Sequence, residues 1–333
     1  MKKIYPLLLG SVTPESVASN GFLKDNSLDD LIETYMGNLL GDNVFSFFQG
    51  NLPITVEIKD SAKKRGPIIV SPDDETALPR YGCWGKERML YILSAEKDSS
   101  LWIGFEKNLS ATEIYERCQA GTILETMNEI APEEGETFYI RPGVPLCIGS
   151  GVRYVDLSQN SPVELNIEDL DQLVEALDFI HLDSCNPEYV APESCLFRME
   201  RVAITKPQTI APDQTESFMA IVNLDNSTSL RTKDIRGLSD TTEENFINLK
   251  GNAIALIPHD ISELAISPSQ DGENPASSFL RVYMCNVPEP PKEDEEKDEN
   301  EDHHHCGCDA HHHHHDGDCD DEDCHCGHHK NYN

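Results

Sequence analysis

Apolar and polar residues alternate along this chain with two different periods. The run Ser27-Leu28-Asp29-Asp30-Leu31-Ile32-Glu33-Thr34-Tyr35-Met36 opens on a capping serine, carries acids in its first turn and repeats apolar residues at helical spacing. A helix packed on one face is predicted there. From Leu52 the pattern shortens to β-type runs: ITVEI at 54–58, PIIV at 67–70, MLYIL at 89–93, LWIGF at 101–105, TFYI at 137–140 and VRYVDL at 152–157. A helical stretch over 110–127 separates the fourth run from the fifth. After a second helix at 167–179 the β pattern resumes with CLFRMERVAI at 195–204, SFMAIVNL at 217–224, AIALI at 253–257, ELAI at 263–266 and FLRVYM at 279–284. Two β-rich units follow one another, and strands this short and this frequent suit barrels or sandwiches.

Charge narrows the partners. The net charge of -34 repels nucleic acid and anionic membranes alike, so neither is expected. No run approaches the roughly 18 apolar residues of a membrane span. The opening MKKIYPLLLGSV imitates a secretory leader in outline, but Pro6 interrupts its short apolar run, and no leader is expected. Six of the eleven cysteines are scattered singly and five crowd near the end, which fits a reducing, cytoplasmic setting better than a disulfide framework. Sixteen acids and three lysines fall within 289–333, a segment too polar to bury a core, so the fold is expected to end near Asn286 with a disordered tail beyond.

The order of motifs adds a likeness. ESVASNGFLKDNSLDDLIETYMGNLLGDNV, LPITVEIKD, IIVSPDDE, GKERMLYIL and GETFYIRPGVPLCIGSGVRYVDLSQNSPVEL, read in sequence, resemble a class I mannose-6-phosphate isomerase from Ser16 onward, and the later strands are similar to that family's second barrel. The resemblance implies a mainly β fold of two tandem cupin (jelly-roll β-barrel) domains with a few surface helices. It divides the chain into an N-terminal cupin at 1–165, a linker helix and C-terminal cupin at 166–287, an acidic Pro/Glu linker at 288–302 and a tail at 303–333.

The family holds a Zn²⁺ through Gln-x-His on one strand, a Glu soon after and a His on a later strand, and the metal polarises sugar oxygens during aldose–ketose isomerisation. In this sequence those positions fall on Ile69 and Ser71 before Pro72-Asp73-Asp74, on Arg88 after Gly85-Lys86-Glu87, and on Leu146 after Pro142-Gly143-Val144-Pro145. The family's catalytic arginine falls on Asn166, and Lys86 alone matches a polar residue the family keeps near its metal. The tryptophan-glycine segment that opens the family's fold has no counterpart. A guanidinium is no zinc ligand, and Glu87, next to Arg88 on a strand, would need a bulge to turn inward. No barrel cofactor is therefore expected. Three readings stay open: a pocket filled by core side chains, a pocket in which Lys86 and Arg88 hold a sugar phosphate or another anionic small molecule, and an active isomerase with an atypical site.

The tail carries its own chemistry. His303, His304, His305, Cys306, Cys308, His311, His312, His313, His314, His315, Cys319, Cys324, His325, Cys326, His328 and His329 crowd among aspartates. Imidazole and thiolate favour zinc, nickel and copper, while the acids concentrate cations locally. Transition-metal binding is expected there without one fixed geometry, and metal storage or delivery with the barrels as scaffold is a further reading. Pro288-Glu289-Pro290-Pro291 and the charges that follow predict an extended linker.

Overall fold

The computed structural model describes residues 4–185, 187–193, 195–232, 246–268 and 276–289. Residues 1–290 form one compact unit built on four antiparallel sheets. In the first half, Ile54–Asp60, Val152–Gln159, Arg88–Ala95 and Thr137–Ile140 make a four-stranded sheet. It faces a five-stranded sheet of Leu165–Asn166, Ile69–Val70, Leu146–Ile148, Leu101–Phe105 and Met127–Ile130. The second half repeats the plan. Leu7–Leu9, Ile254–Ile257, Met219–Asn223, Ser277–Met284 and Phe197–Ile204 face Gln208–Ile210, Leu264–Pro268, Thr228–Thr232 and Phe246–Leu249. The fold is mainly β, a pair of barrels of cupin type with a few helices.

Side-chain alternation explains why the inner strands read as continuous apolar runs. Leu90 and Ile92 point into the first barrel, whereas Met89 and Tyr91 point out of it. Met219 and Ile221 likewise fill the second barrel, while Ala220 and Val222 face the other way. The outward residues of the two halves share one core, joined by Leu28, Leu31 and Ile32 of the helix Leu28–Tyr35. Strands buried on both faces lose the polar half of the usual pattern. A separate cluster under the helices Ala111–Ala120 and Leu170–Ala176 covers the outer face of the five-stranded sheet.

Several expectations need correction. Although position in the sequence groups Leu7–Leu9 with the first unit, it pairs Leu7 with Leu256 and Leu9 with Ile254, extending the second half. Leu165–Asn166 straddles the expected boundary at 165 and pairs with Ile69–Val70, so the first barrel reaches past it. The helix expected over 110–127 stops at Ala120, because Gly121 takes a left-handed C-cap at φ 69°, and Met127 begins a strand. A helix at Asp74–Tyr81, capped by Asp73 and ended by left-handed Gly82, was not signalled by periodicity. Among the described residues no helix is long and apolar enough to cross a membrane.

Candidate site in the first barrel

Three short motifs hold the barrel's strand ends together. Asp73 accepts the Thr76 N–H at 2.9 Å and starts the helix Asp74–Tyr81. Asp74 Oδ1 accepts the Gly85 N–H at 2.8 Å and the Gln159 amide at 3.2 Å, and the Pro72 carbonyl accepts the Lys86 N–H at 2.9 Å. A Cβ on Gly85 would overlap the backbone of Asp73 and Asp74, so this close approach requires glycine. Gly143, at φ 78°, donates its N–H to the Ser71 carbonyl at 2.8 Å and accepts the His181 N–H at 2.8 Å. Pro-Asp-Asp, Gly-Lys and Pro-Gly therefore have structural work independent of any metal.

That frame aims Lys86 and Arg88 to the same side and Glu87 to the other. Glu87 accepts the Tyr139 hydroxyl at 2.7 Å and the Leu196 N–H at 3.0 Å, so its carboxylate joins the two halves and stays out of the barrel. Arg88 lies inside. Its side chain is 9% exposed, with Nε 3.0 Å from Asp156 Oδ1 and Nη2 against Glu164 Oε1. The Arg88–Asp156 contact is an ion pair whose N–H is not aimed at the oxygen. Lys86 Nζ is 3.1 Å from the same Glu164 oxygen. Lys59 Nζ meets the other Asp156 oxygen at 2.8 Å and Glu57 at 2.7 Å.

Three cations thus interleave with three carboxylates. Burial opposes the Arg88 charge, but Asp156 and Glu164 outweigh it and hold the guanidinium above its ordinary range. Burial likewise works against ionised Glu164, yet Arg88 and Lys86 keep that carboxyl below the usual range. For Lys86 burial wins: desolvation, aided by neighbouring Arg88, lowers the ammonium pKa despite Glu164.

Ile69, Ser71, Lys86, Arg88 and Leu146, joined by Val70, Ile140, Arg141 and Val144, line one cavity of about 10 Å³. That is roughly the room one water needs. Ile69 and Leu146 also line a larger, open cavity of about 320 Å³ with Lys59, Ser61, Gly66, Pro67, Ile148 and Tyr154. Burial, then Asp156, pushes the Tyr154 phenol up to about 12. Asn166 pairs with Ile69 in the sheet but lines neither cavity; its Oδ1 accepts the Glu168 N–H at 3.1 Å.

Sequence reasoning passed over Asp156, Glu164 and Lys59. The available signal was an acid, Asp156, on the face of the run VRYVDL that otherwise carries Val152 and Tyr154, since a buried carboxylate needs a counter-charge. Among the described residues no three of His, Cys, Asp and Glu converge as a metal centre. The tail donors His303 to His329 and the linker from Pro290 lie outside the described residues.

No family model matches the chain. Over 157 residues it is 29% identical to the mannose-6-phosphate isomerase of Streptococcus mutans, covering 47% of this chain and 48% of that one. Over 162 residues it is 26% identical to the mannose-6-phosphate isomerase ManA of Bacillus subtilis, with the same coverage. The chain thus spans about half the length of the curated relatives it matches. The solved mannose 6-phosphate isomerase of Bacillus subtilis superposes with a TM-score of 0.65 at 17% identity, over 84% of this chain and 99% of that one. A mutant phosphomannose isomerase from Salmonella typhimurium gives 0.63 at 14% identity, over 84% and 90%. The relatives and structural neighbours are mannose-6-phosphate isomerases, and the shared fold is the cupin barrel.

Proposed function

We propose that this protein is an isomerase-like double cupin whose first barrel does not carry out zinc-dependent isomerisation, and that its metal chemistry belongs to the His/Cys tail. One observation carries the reading. At the position where the resemblance puts a metal-binding carboxylate, Arg88 is buried and neutralised by Asp156 and Glu164. The residues there do not fit a zinc ion. Ile69 and Leu146 offer no donor atom, the small cavity they share with Lys86 and Arg88 has room for about one water, and a catalytic zinc takes about three protein ligands. An internal guanidinium supplies the positive charge instead, and no chemical step runs through a barrel metal.

The tail supports the second half of the reading by its donors. Eleven of the thirteen histidines and five of the eleven cysteines lie within 303–329, a density suited to zinc, nickel or copper. A sugar phosphate, the substrate class named for the relatives, has room in the larger cavity, where Lys59 and Tyr154 supply polar contacts and Lys63 and Lys64 stand exposed on the adjoining loop.

The test compares the full chain with one ending at Pro290, the limit of the compact unit. Metal content is measured after zinc loading, and mannose 6-phosphate turnover is assayed on both. The expected result is metal that follows the tail and no turnover from either chain. One tightly held zinc in the shorter chain, together with turnover, would overturn the reading.

A further inference from the structure

We propose that Lys86 and Arg88 form a binding site for a small oxyanion of the phosphate class, and that Glu164 is its tethered occupant. The inference rests on the reading of the first barrel as a site without zinc. It adds that the site has changed sign, from one that gathers ligands around a cation to one that gathers cations around an anion.

The geometry is that of a bound anion. Lys86 Nζ and Arg88 Nη2 converge from neighbouring positions on a single oxygen, Glu164 Oε1. Both cations are nearly enclosed, at 13% and 9% side-chain exposure, so their charges act through little water. Their two carboxylate partners differ in mounting. Asp156 is 4% exposed and sits in the middle of the sheet, opposite Glu57 on one side and Leu90 on the other. Glu164 comes from the connection between Val152–Gln159 and Leu165–Asn166, just after Pro162, and its side chain is 30% exposed. One carboxylate is built in, and the other reaches in from the rim.

Charge accounting makes the Glu164 position one that needs an anion. Lys59 is matched by Glu57 and shares Asp156 with Arg88, so without Glu164 the three cations would face two carboxylates. A buried excess cation is costly, and a phosphate oxygen is a good substitute partner for a lysine and an arginine set side by side. Ser71 and Arg141, which line the same small cavity, border the place the ligand would take. A free anion must displace a tethered one, so binding to the native chain is weak. If Glu164 is seated nine-tenths of the time, apparent affinity falls about tenfold.

The experiment uses the full chain with metals removed by a chelator and inorganic phosphate as the probe, titrated calorimetrically. Glu164→Gln is expected to bind phosphate about tenfold or more tightly than the native chain. Glu164→Asp, which keeps the charge but shortens the reach, is expected to show a smaller gain in the same direction. The charge-balanced double variant Lys86→Met/Glu164→Gln is expected to lose the gain. Equal phosphate affinity in Glu164→Gln and the native chain would overturn the proposal, as would a double variant that binds as well as Glu164→Gln. If Glu164→Gln fails to fold, Glu164→Asp decides, and unchanged affinity there overturns it. Zinc content and turnover judge the reading of the barrel separately, so failure of one is distinguishable from failure of the other.

Discussion

Arg88 carries its charge where water barely reaches, which ties the stability of the first barrel to two carboxylates distant in sequence, Asp156 and Glu164. Replacing it with methionine, Arg88→Met, would remove the cation that Asp156 and Glu164 share and leave Lys59 and Lys86 to face three carboxylates. Breaking a buried pair from one side costs about 3–5 kcal/mol, and denaturant unfolding is expected to show a loss of that order. The pH dependence has a definite sign. Glu164 is held below its ordinary carboxyl value of 4.5 in the folded chain, so the unfolded chain binds more protons in acid. Its contribution is present in full above pH 4.5 and is lost as the pH falls through the depressed folded value. Stability measured from pH 6 downward should fall more gently in Glu164→Gln than in the native protein. The sequence supplied half of this cluster. Resemblance pointed to Ile69, Ser71, Lys86, Arg88 and Leu146, which the fold brings around one cavity. Asp156 stood out only as a lone acid at an inward position, and neither its pairing with Arg88 on the neighbouring strand nor the reach of Glu164 could be read, because both depend on strand register and no local pattern encodes that.

Among the elements, legibility followed burial. Leu101–Phe105 and Thr137–Ile140 match their apolar runs end to end, because β-branched and aromatic residues crowd there. Gln208–Ile210, Thr228–Thr232 and Phe246–Leu249 escaped notice, being short and interspersed with polar residues. The helix Asp74–Tyr81 escaped because Pro79 interrupts its period, although Asp73 and Gly82 mark its two ends. That helix anchors the Pro72-Asp73-Asp74 corner. Asp73→Ala removes its cap and is expected to cost about 1 kcal/mol by denaturant unfolding, the usual value for a lost N-cap.

At the scale of the whole molecule, the two barrels are not separate bodies joined by a hinge. Outward residues of both inner sheets, Val155 and Leu157 from one and Val222 and Leu280 from the other, occupy one continuous core. Glu87 reinforces it by binding Tyr139 of the first half and the Leu196 N–H of the second. Residues 1–290 are therefore expected to unfold in one calorimetric transition, with van't Hoff and calorimetric enthalpies in agreement; two resolved peaks would contradict the shared core. Composition and periodicity indicated two β units but not their fusion, because a core shared between sheets consists of residues that look equally buried from either side.

The pairing of Leu7–Leu9 with Ile254–Ile257 also sets an order of events as the chain is made. Once synthesised, Leu7–Leu9 must wait for nearly 250 more residues before its partner exists. Until then Tyr5, Leu7 and Leu9, all buried in the finished molecule, lack the strand that completes their cover. The first barrel can assemble in that interval from its own strands, while the central core cannot close before Ile254–Ile257 has been translated. At Leu7–Leu9 the order of synthesis and the order of burial therefore run in opposite directions: a strand made before the first barrel is covered only after it.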